Sequence, residues 1–246
     1  MKRKILVTLV SVVIFCLSFY FYNNNPSVII SKLKKSGAIS SGSLVYRVYF
    51  LGIFPVAQAQ IDFSRQVEYQ GKKVYHLSAK AENLKIISGI FHASASFESY
   101  VDLKDNNPLI FRQKISVKGK PDVVKEAFYD QKNGIMTIGD VKRDIPPNTQ
   151  DALSAIFNLK RMDFNNTKDF EIILNTNQKN YRLKGDSQIK NGLVFLKGDI
   201  RRKDKNNPYH RSQINMVLLE EKENLPVSIK VFASGILITA KLTETK

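Results

Sequence analysis

His92-Ala93-Ser94-Ala95-Ser96-Phe97-Glu98-Ser99-Tyr100-Val101 carries Ala, Ala, Phe, Ser and Val at its odd positions and mostly polar residues at its even ones. Successive side chains of an extended chain point to opposite faces, so this period of two predicts a strand with one packed face and one wet face.

The same pattern extends outward in both directions. Gln70-Gly71-Lys72, Asp105-Asn106-Asn107-Pro108, Lys118-Gly119-Lys120-Pro121, Lys132-Asn133-Gly134, Lys190-Asn191-Gly192 and Asn206-Asn207-Pro208 each combine residues that reverse a chain. They separate predicted strands at 44–53, 57–68, 73–83, 92–103, 109–117, 123–130, 135–143, 169–175, 180–189, 193–201, 210–219, 226–233 and 235–243. Many strands joined by short turns define an antiparallel meander. The exception is 148–164, where Ala152, Leu153, Ile156, Phe157 and Leu159 recur at helical spacing. Thr149 is the expected N-cap, and the apolar stripe is expected to close one end or face of the curved sheet.

Before the strands, Lys2, Arg3 and Lys4 precede an uncharged run of 18 residues, Ile5 to Tyr22. That arrangement sends a chain into a membrane with its basic end inside, so the remainder is expected to be exported into the periplasm. A run of this length reaches the lower bound of about 17 to 25 residues for a span. We read 1–22 as an inner-membrane anchor. The small side chains of Cys16 and Ser18 keep signal cleavage as the alternative, and lipidation of Cys16 is disfavoured by the bulky Phe15 before it. Residues 23–43 follow as a juxtamembrane helix between Pro26 and Gly37 with a Ser/Gly linker, and 44–246 as one β domain.

With 43% hydrophobic residues the chain can bury a core, and its net charge of +16 attracts anionic surfaces. Its basic residues are spread along the whole chain, as on a solvated face. Cys16 is the only cysteine, which excludes an internal disulfide and a cysteine-based zinc site in the β domain.

Catalytic signatures are missing. His76, His92 and His210 fall on separate predicted strands, and no nucleophile elbow, phosphate loop, zinc-protease motif or dinucleotide fingerprint occurs. Asp151 and Ser154 fit the start of a helix better than a catalytic pair. Glu220, Glu221 and Glu223 adjoin a turn and read as solvated charges. No cofactor or metal is expected. The candidate anion-binding residues are Arg201, Arg202, Lys203, Lys205, His210 and Arg211, because guanidinium groups clamp phosphate through paired hydrogen bonds. Nucleic acid is not an expected partner, since no binding motif is present and the domain is read as exported.

Three stretches resemble the family known as domain of unknown function 3108, found mostly in exported proteins of Gram-negative bacteria. Leu44-Val45-Tyr46 with Gly52-Ile53-Phe54-Pro55-Val56-Ala57 is similar to its opening strand and glycine break. Gln150 to Phe157 is similar to its central helix, and Leu225-Pro226-Val227 with Gly235 and Leu242 to its closing hairpin. The likeness covers about 40–243 and departs at 199–223, where a basic loop replaces the usual hydrophobic pairing and leaves the register open. It implies an antiparallel β fold, an open barrel like those of lipid-handling envelope proteins, and supplies no activity.

The expectation is therefore an all-β protein, a curved antiparallel sheet or open β-barrel with one inserted helix, preceded by a transmembrane or signal helix. Its expected role is that of a non-enzymatic envelope module binding a lipid or other apolar ligand. The alternative is a structural protein that docks an envelope component through its basic surface, with the protein partner unspecified.

Overall fold

Alternation of apolar and polar residues becomes a ladder of antiparallel strands across the chain. The structure, a computed structural model, describes residues 43–88, 92–176, 179–202 and 212–245. The expected anchor at 1–22 and nearly all of the segment 23–43 lie outside these residues. Among the described residues no helix is long and apolar enough to cross a membrane.

The first group of strands is β1 (Leu44–Phe50), β2 (Phe54–Tyr69), β3 (Lys72–Asn83), β4 (Ala93–Asp102), β5 (Pro108–Val117), β6 (Val123–Asp130), β7 (Ile135–Ile138) and β8 (Val141–Asp144). After a helix come β9 (Asp169–Thr176), β10 (Lys179–Lys190), β11 (Leu193–Arg202), β12 (Ser212–Leu219), β13 (Leu225–Ala233) and β14 (Ile236–Thr245). All join one 14-stranded sheet in the order β8-β7-β6-β5-β4-β3-β2-β1-β14-β13-β12-β11-β10-β9. Every pairing links sequence neighbours except β1 with β14, which zip from Leu44 opposite Thr245 to Phe50 opposite Ile238.

Two local expectations are corrected. The predicted strand 135–143 is a hairpin, β7 and β8, because Gly139 takes a left-handed φ of 54° and turns the chain. The helix begins at Ala152 with Asp151 as its N-cap, since Gln150 is held extended against β9 and Thr149 turns its hydroxyl back to Pro146 O at 2.6 Å. A helical turn that the sequence did not announce, α1 (Lys85–Ser88), interrupts the β3–β4 connection. Up to the basic stretch, β11 and β12 pair without a shift from Leu193 opposite Leu219 to Ile200 opposite Ser212, and residues 203–211 lie outside the described residues.

The helix, α2 (Ala152–Arg161), sits against the inner face of the sheet. Leu153 and Phe157, one turn apart, enter a cluster with Tyr46, Phe63, Leu77 and Val101. Ala155 and Leu159 enter a second with Phe170, Leu183, Leu196 and Met216. One short helix thus joins the cores of both halves of the sheet. The Phe157 ring lies 5.0 Å from that of Tyr75 and 6.2 Å from that of Phe63. Tyr46, fully buried, donates its hydroxyl to Pro226 O at 2.8 Å, and burial pushes its phenol up.

The segment between β8 and α2 spans the gap between the two sheet edges. Gln150 N donates to Ile173 O at 2.7 Å and Asn175 N to Gln150 O at 2.8 Å, a parallel bridge onto β9. On the other side Ile145 N donates to Gly134 O at 2.8 Å. The sheet stays open between β8 and β9, and this segment, which turns at Pro147 and Asn148, links its two edges through that single bridge onto β9.

Candidate functional site

The most polar part of the interior lies at the start of α2. Asp151 is buried completely and accepts from Leu153 N at 2.8 Å, Ser154 N at 3.0 Å and the Ser99 hydroxyl at 2.6 Å. The Ser154 hydroxyl accepts in turn from Asp151 N at 2.9 Å, which completes a capping box. Burial raises the Asp151 pKa, opposed by the hydrogen bonds from Ser99, Ser154 and Leu153. Around it, Gln150 donates to Asn107 Oδ1 at 2.7 Å and accepts from Asn158 at 2.9 Å, while Gln131 donates to Thr149 O at 2.7 Å. The network ties the linking segment, α2 and the β4–β5 turn together. Asp151 and Ser154 are occupied in holding backbone, as their positions in the sequence suggested.

The inner face changes character along the strands. Near α2 it is sealed: Tyr46, Leu77 and Val101 show no exposure. One row further, Ile61, Ala79 and Phe97 still pack on the core. The next row is one of small side chains, Ala59, Ala81 and Ala95, set side by side across β2, β3 and β4, of which Ala59 still packs on the core. Ala57 and Ala93 follow on the same face, and all five are only partly buried. At the rim, Phe50 and Ile238, register partners on β1 and β14, are 38% and 37% exposed, and Phe54 is 56% exposed. The inner face therefore ends in partly exposed apolar side chains at the end away from α2, which we call the mouth.

The outer face is polar and carries two grooves. Gln58, Glu82, Ser94 and Ser116 form one cross-strand row and Gln60, Lys80, Ser96 and Lys114 the next, enclosing about 410 Å³. A groove of about 390 Å³ on β10 and β11 is lined by Arg182, Lys184, Asp199 and Arg201. Arg182 pairs with Glu171 at 3.0 Å and Arg201 with Asp199 at 3.7 Å.

Of the sequence-predicted anion site, Arg201 stands in this second groove. Its neighbour Arg202 follows Leu196 and Ile200 on the inner side of β11, because adjacent strand residues face opposite ways. Lys203, Lys205, His210 and Arg211 lie outside the described residues. Lys184 and Arg182, from a different hairpin strand, were not legible as partners of Arg201, since only the register of β10 with β11 places them beside it.

The remaining titratable groups are dispersed. His76 stacks on Tyr100 with ring centroids 4.7 Å apart and faces Glu98 at 3.8 Å, and burial lowers its pKa. Lys241, on the outer face opposite Arg47, holds its ammonium 4.6 Å from the Tyr49 ring centroid. Burial, with Lys230 beside it, brings its pKa down to about 8. Glu223 pairs with Lys160 at 3.2 Å, holding the β12–β13 turn to the end of α2. Among the described residues no group of three or more His, Cys, Asp or Glu is placed to hold a metal ion.

One continuous antiparallel wall, a helix against its inner face and a linking segment define a β-barrel-like fold. The crystal structure of a β-barrel-like protein of domain of unknown function DUF1849 from Brucella abortus is similar to it, with a TM-score of 0.53 at 8% identity over 82% of this chain and 95% of that one. At that identity the likeness is one of fold. The chain belongs to the family described as Protein of unknown function (DUF3108), whose model matches residues 45–192. The opening strand and central helix that carried the resemblance fall inside this match; the closing hairpin lies beyond it. No curated protein sequence matches the chain.

Proposed function

We propose that the β domain is a non-catalytic binding module of the cell envelope, exported and tethered to the inner membrane by residues 1–22, that takes an apolar chain such as a lipid tail through its open mouth. The observation that carries this reading is the burial gradient on the inner face: sealed at Tyr46, Leu77 and Val101, and lined at the other end by small, partly accessible alanines under an apolar rim. Apolar concavities with few polar groups are the usual form of a small-molecule site.

Native mass spectrometry of the full chain purified from envelopes, with lipid extraction, tests it. A stoichiometric lipid is expected, and Ala81→Phe or Ala95→Leu, which fill the cup, are expected to remove it while the protein still melts cooperatively. An empty wild type, or equal lipid in the filled variants, would sink the reading.

The cation-rich groove of Arg182, Lys184 and Arg201 favours a second role, docking an anionic envelope component. Crosslinking in whole envelopes separates the two. A partner captured by wild type and lost in the Lys184→Glu, Arg201→Glu double variant supports it, and identical capture profiles count against it.

A further inference from the structure

Antiparallel topology sorts the turns of this protein into two sets. Leaving aside the β9–β10 and β11–β12 connections, which include residues outside those described, the β2–β3, β4–β5, β6–β7, β10–β11 and β12–β13 turns lie at the α2 end, and the β1–β2, β3–β4, β5–β6, β7–β8 and β13–β14 turns lie at the mouth. The α2-end turns are polar: Gln70-Gly71, Asp105-Asn106-Asn107, Lys132-Asn133-Gly134, Asn191-Gly192 and Glu220 to Asn224. At the mouth, Leu51 and Ile53 tip the β1–β2 turn at 45% and 41% exposure, and Ile86 on α1 is 80% exposed. Val124 at the start of β6 is 68% exposed and Ile236 after the β13–β14 turn is 44% exposed. Exposed apolar side chains nearer the other end, Phe128, Ile189 and Phe195, sit on strands and none lies in a turn. Exposed lysines alternate with the mouth tips: Lys85 beside Ile86, and Lys118 and Lys120 in the β5–β6 turn.

We infer that the mouth end of the barrel docks on a bilayer surface carrying anionic headgroups, with the aliphatic tips of separate turns entering the acyl boundary and Lys85, Lys118 and Lys120 meeting the phosphates. Apolar side chains set among basic ones are what an interfacial membrane surface requires, and each lysine near an anionic leaflet adds electrostatic attraction. The geometry selects a bilayer over a protein partner. The exposed apolar side chains are spread over the β1–β2 and β3–β4 connections and the first residues of β6 and β14, so a rigid protein would need a matched socket for each, whereas lipid flows around them. Scattered tips of this kind do not form the single flat apolar patch of a protein interface. The inference stands independently of any ligand inside the barrel, although docking mouth-down would deliver lipid to it.

The chain contains no tryptophan, so single-tryptophan reporters are unambiguous. Full-length Ile53→Trp, Ile86→Trp and, in an α2-end turn, Lys132→Trp are each incorporated into phosphatidylcholine vesicles containing phosphatidylglycerol and brominated phosphatidylcholine. Emission at 53 and 86 is expected to shift blue and to be quenched roughly threefold more than at 132. Charge reversal at Lys85, Lys118 and Lys120 is expected to remove most of that difference. Position 86 lies outside the barrel wall, so its quenching should survive Ala81→Phe; that result separates docking from occupancy of the interior. Equal, weak quenching at all three positions overturns the inference. So does a blue shift at 53 and 86 that needs added envelope protein and comes without bromine quenching, which would assign the tips to a protein partner.

Discussion

Asp151 concentrates several jobs in one side chain: it caps α2, accepts from Ser99 across the core and lies at the end of the segment that links the two sheet edges. Asp151→Ala leaves two helix amides and a buried hydroxyl without their acceptor, a loss of about 2–3 kcal/mol expected in urea denaturation. Asp151→Asn keeps an acceptor for the amides and can donate to Ser99, so its cost is expected to be about 1 kcal/mol or less. The pH dependence separates the two roles further. Because burial raises the folded pKa above the ordinary value of 3.8, the fold favours the protonated acid. Its contribution to stability is greatest below that value and declines as pH rises through the folded one. Asp151→Asn abolishes this decline, and a wild-type stability curve that does not fall across that interval would contradict the assignment. The sequence pattern pointed to Thr149 as the cap, and the structure has Asp151 in that position. The choice between them came from Gln150, whose bridge to β9 is a tertiary contact invisible in local pattern.

At the level of elements, alternation and turn chemistry made nearly all strands legible, and the misses have local causes. Gly139-Asp140 interrupts an otherwise strand-like run, and only the left-handed glycine reveals β7 and β8 as two. The β10–β11 pair shows how tightly the register is held. Gly185 and Gly198 are opposite one another, and the Phe170 ring lies over the first. A Cβ on Gly185 would stand 2.2 Å from Lys197 O and 2.6 Å from the Phe170 ring, so Gly185→Ala must displace the paired strand. A destabilisation of about 3–4 kcal/mol is expected. On Gly198 the first obstacle is the Leu183 Cδ1 at 2.6 Å, the end of a flexible side chain. Gly198→Ala is expected to cost about 1 kcal/mol, and equal denaturation midpoints for the two variants would refute this reading of the contact.

For the whole molecule, the two ends of the barrel differ more than its two faces do. One end is covered by α2 and polar turns, the other carries the exposed aliphatic side chains Leu51, Ile53 and Ile86, and lysines are exposed at both. This asymmetry was not legible beforehand, although each of its pieces was: Leu51-Gly52-Ile53 and the apolar run after Asn83 stand plainly in the sequence. Their gathering at one end depends on the antiparallel order of all the strands. The basic candidates suffered the opposite fate. Arg201 and Arg202, adjacent in the chain, are separated by the strand between its two sides, while Arg182 and Lys184 join Arg201 from the neighbouring strand. Strand prediction fixes which way a side chain points, and only register decides what it meets.

The pairing of β1 with β14 has a consequence for chain connectivity. It is the one pairing of strands distant in sequence, so the sheet consists of two meanders, β1 to β8 and β9 to β14, joined at this single seam. Leu44 and Thr245 end as register partners, close enough for a short turn to link them. A circular permutant that linked them and began after β8 would trade this long-range seam for a hairpin and run as one uninterrupted meander from β9 to β8. The strand order is thus that of a simple up-and-down meander, permuted so that its first and last strands lie side by side in the middle of the sheet.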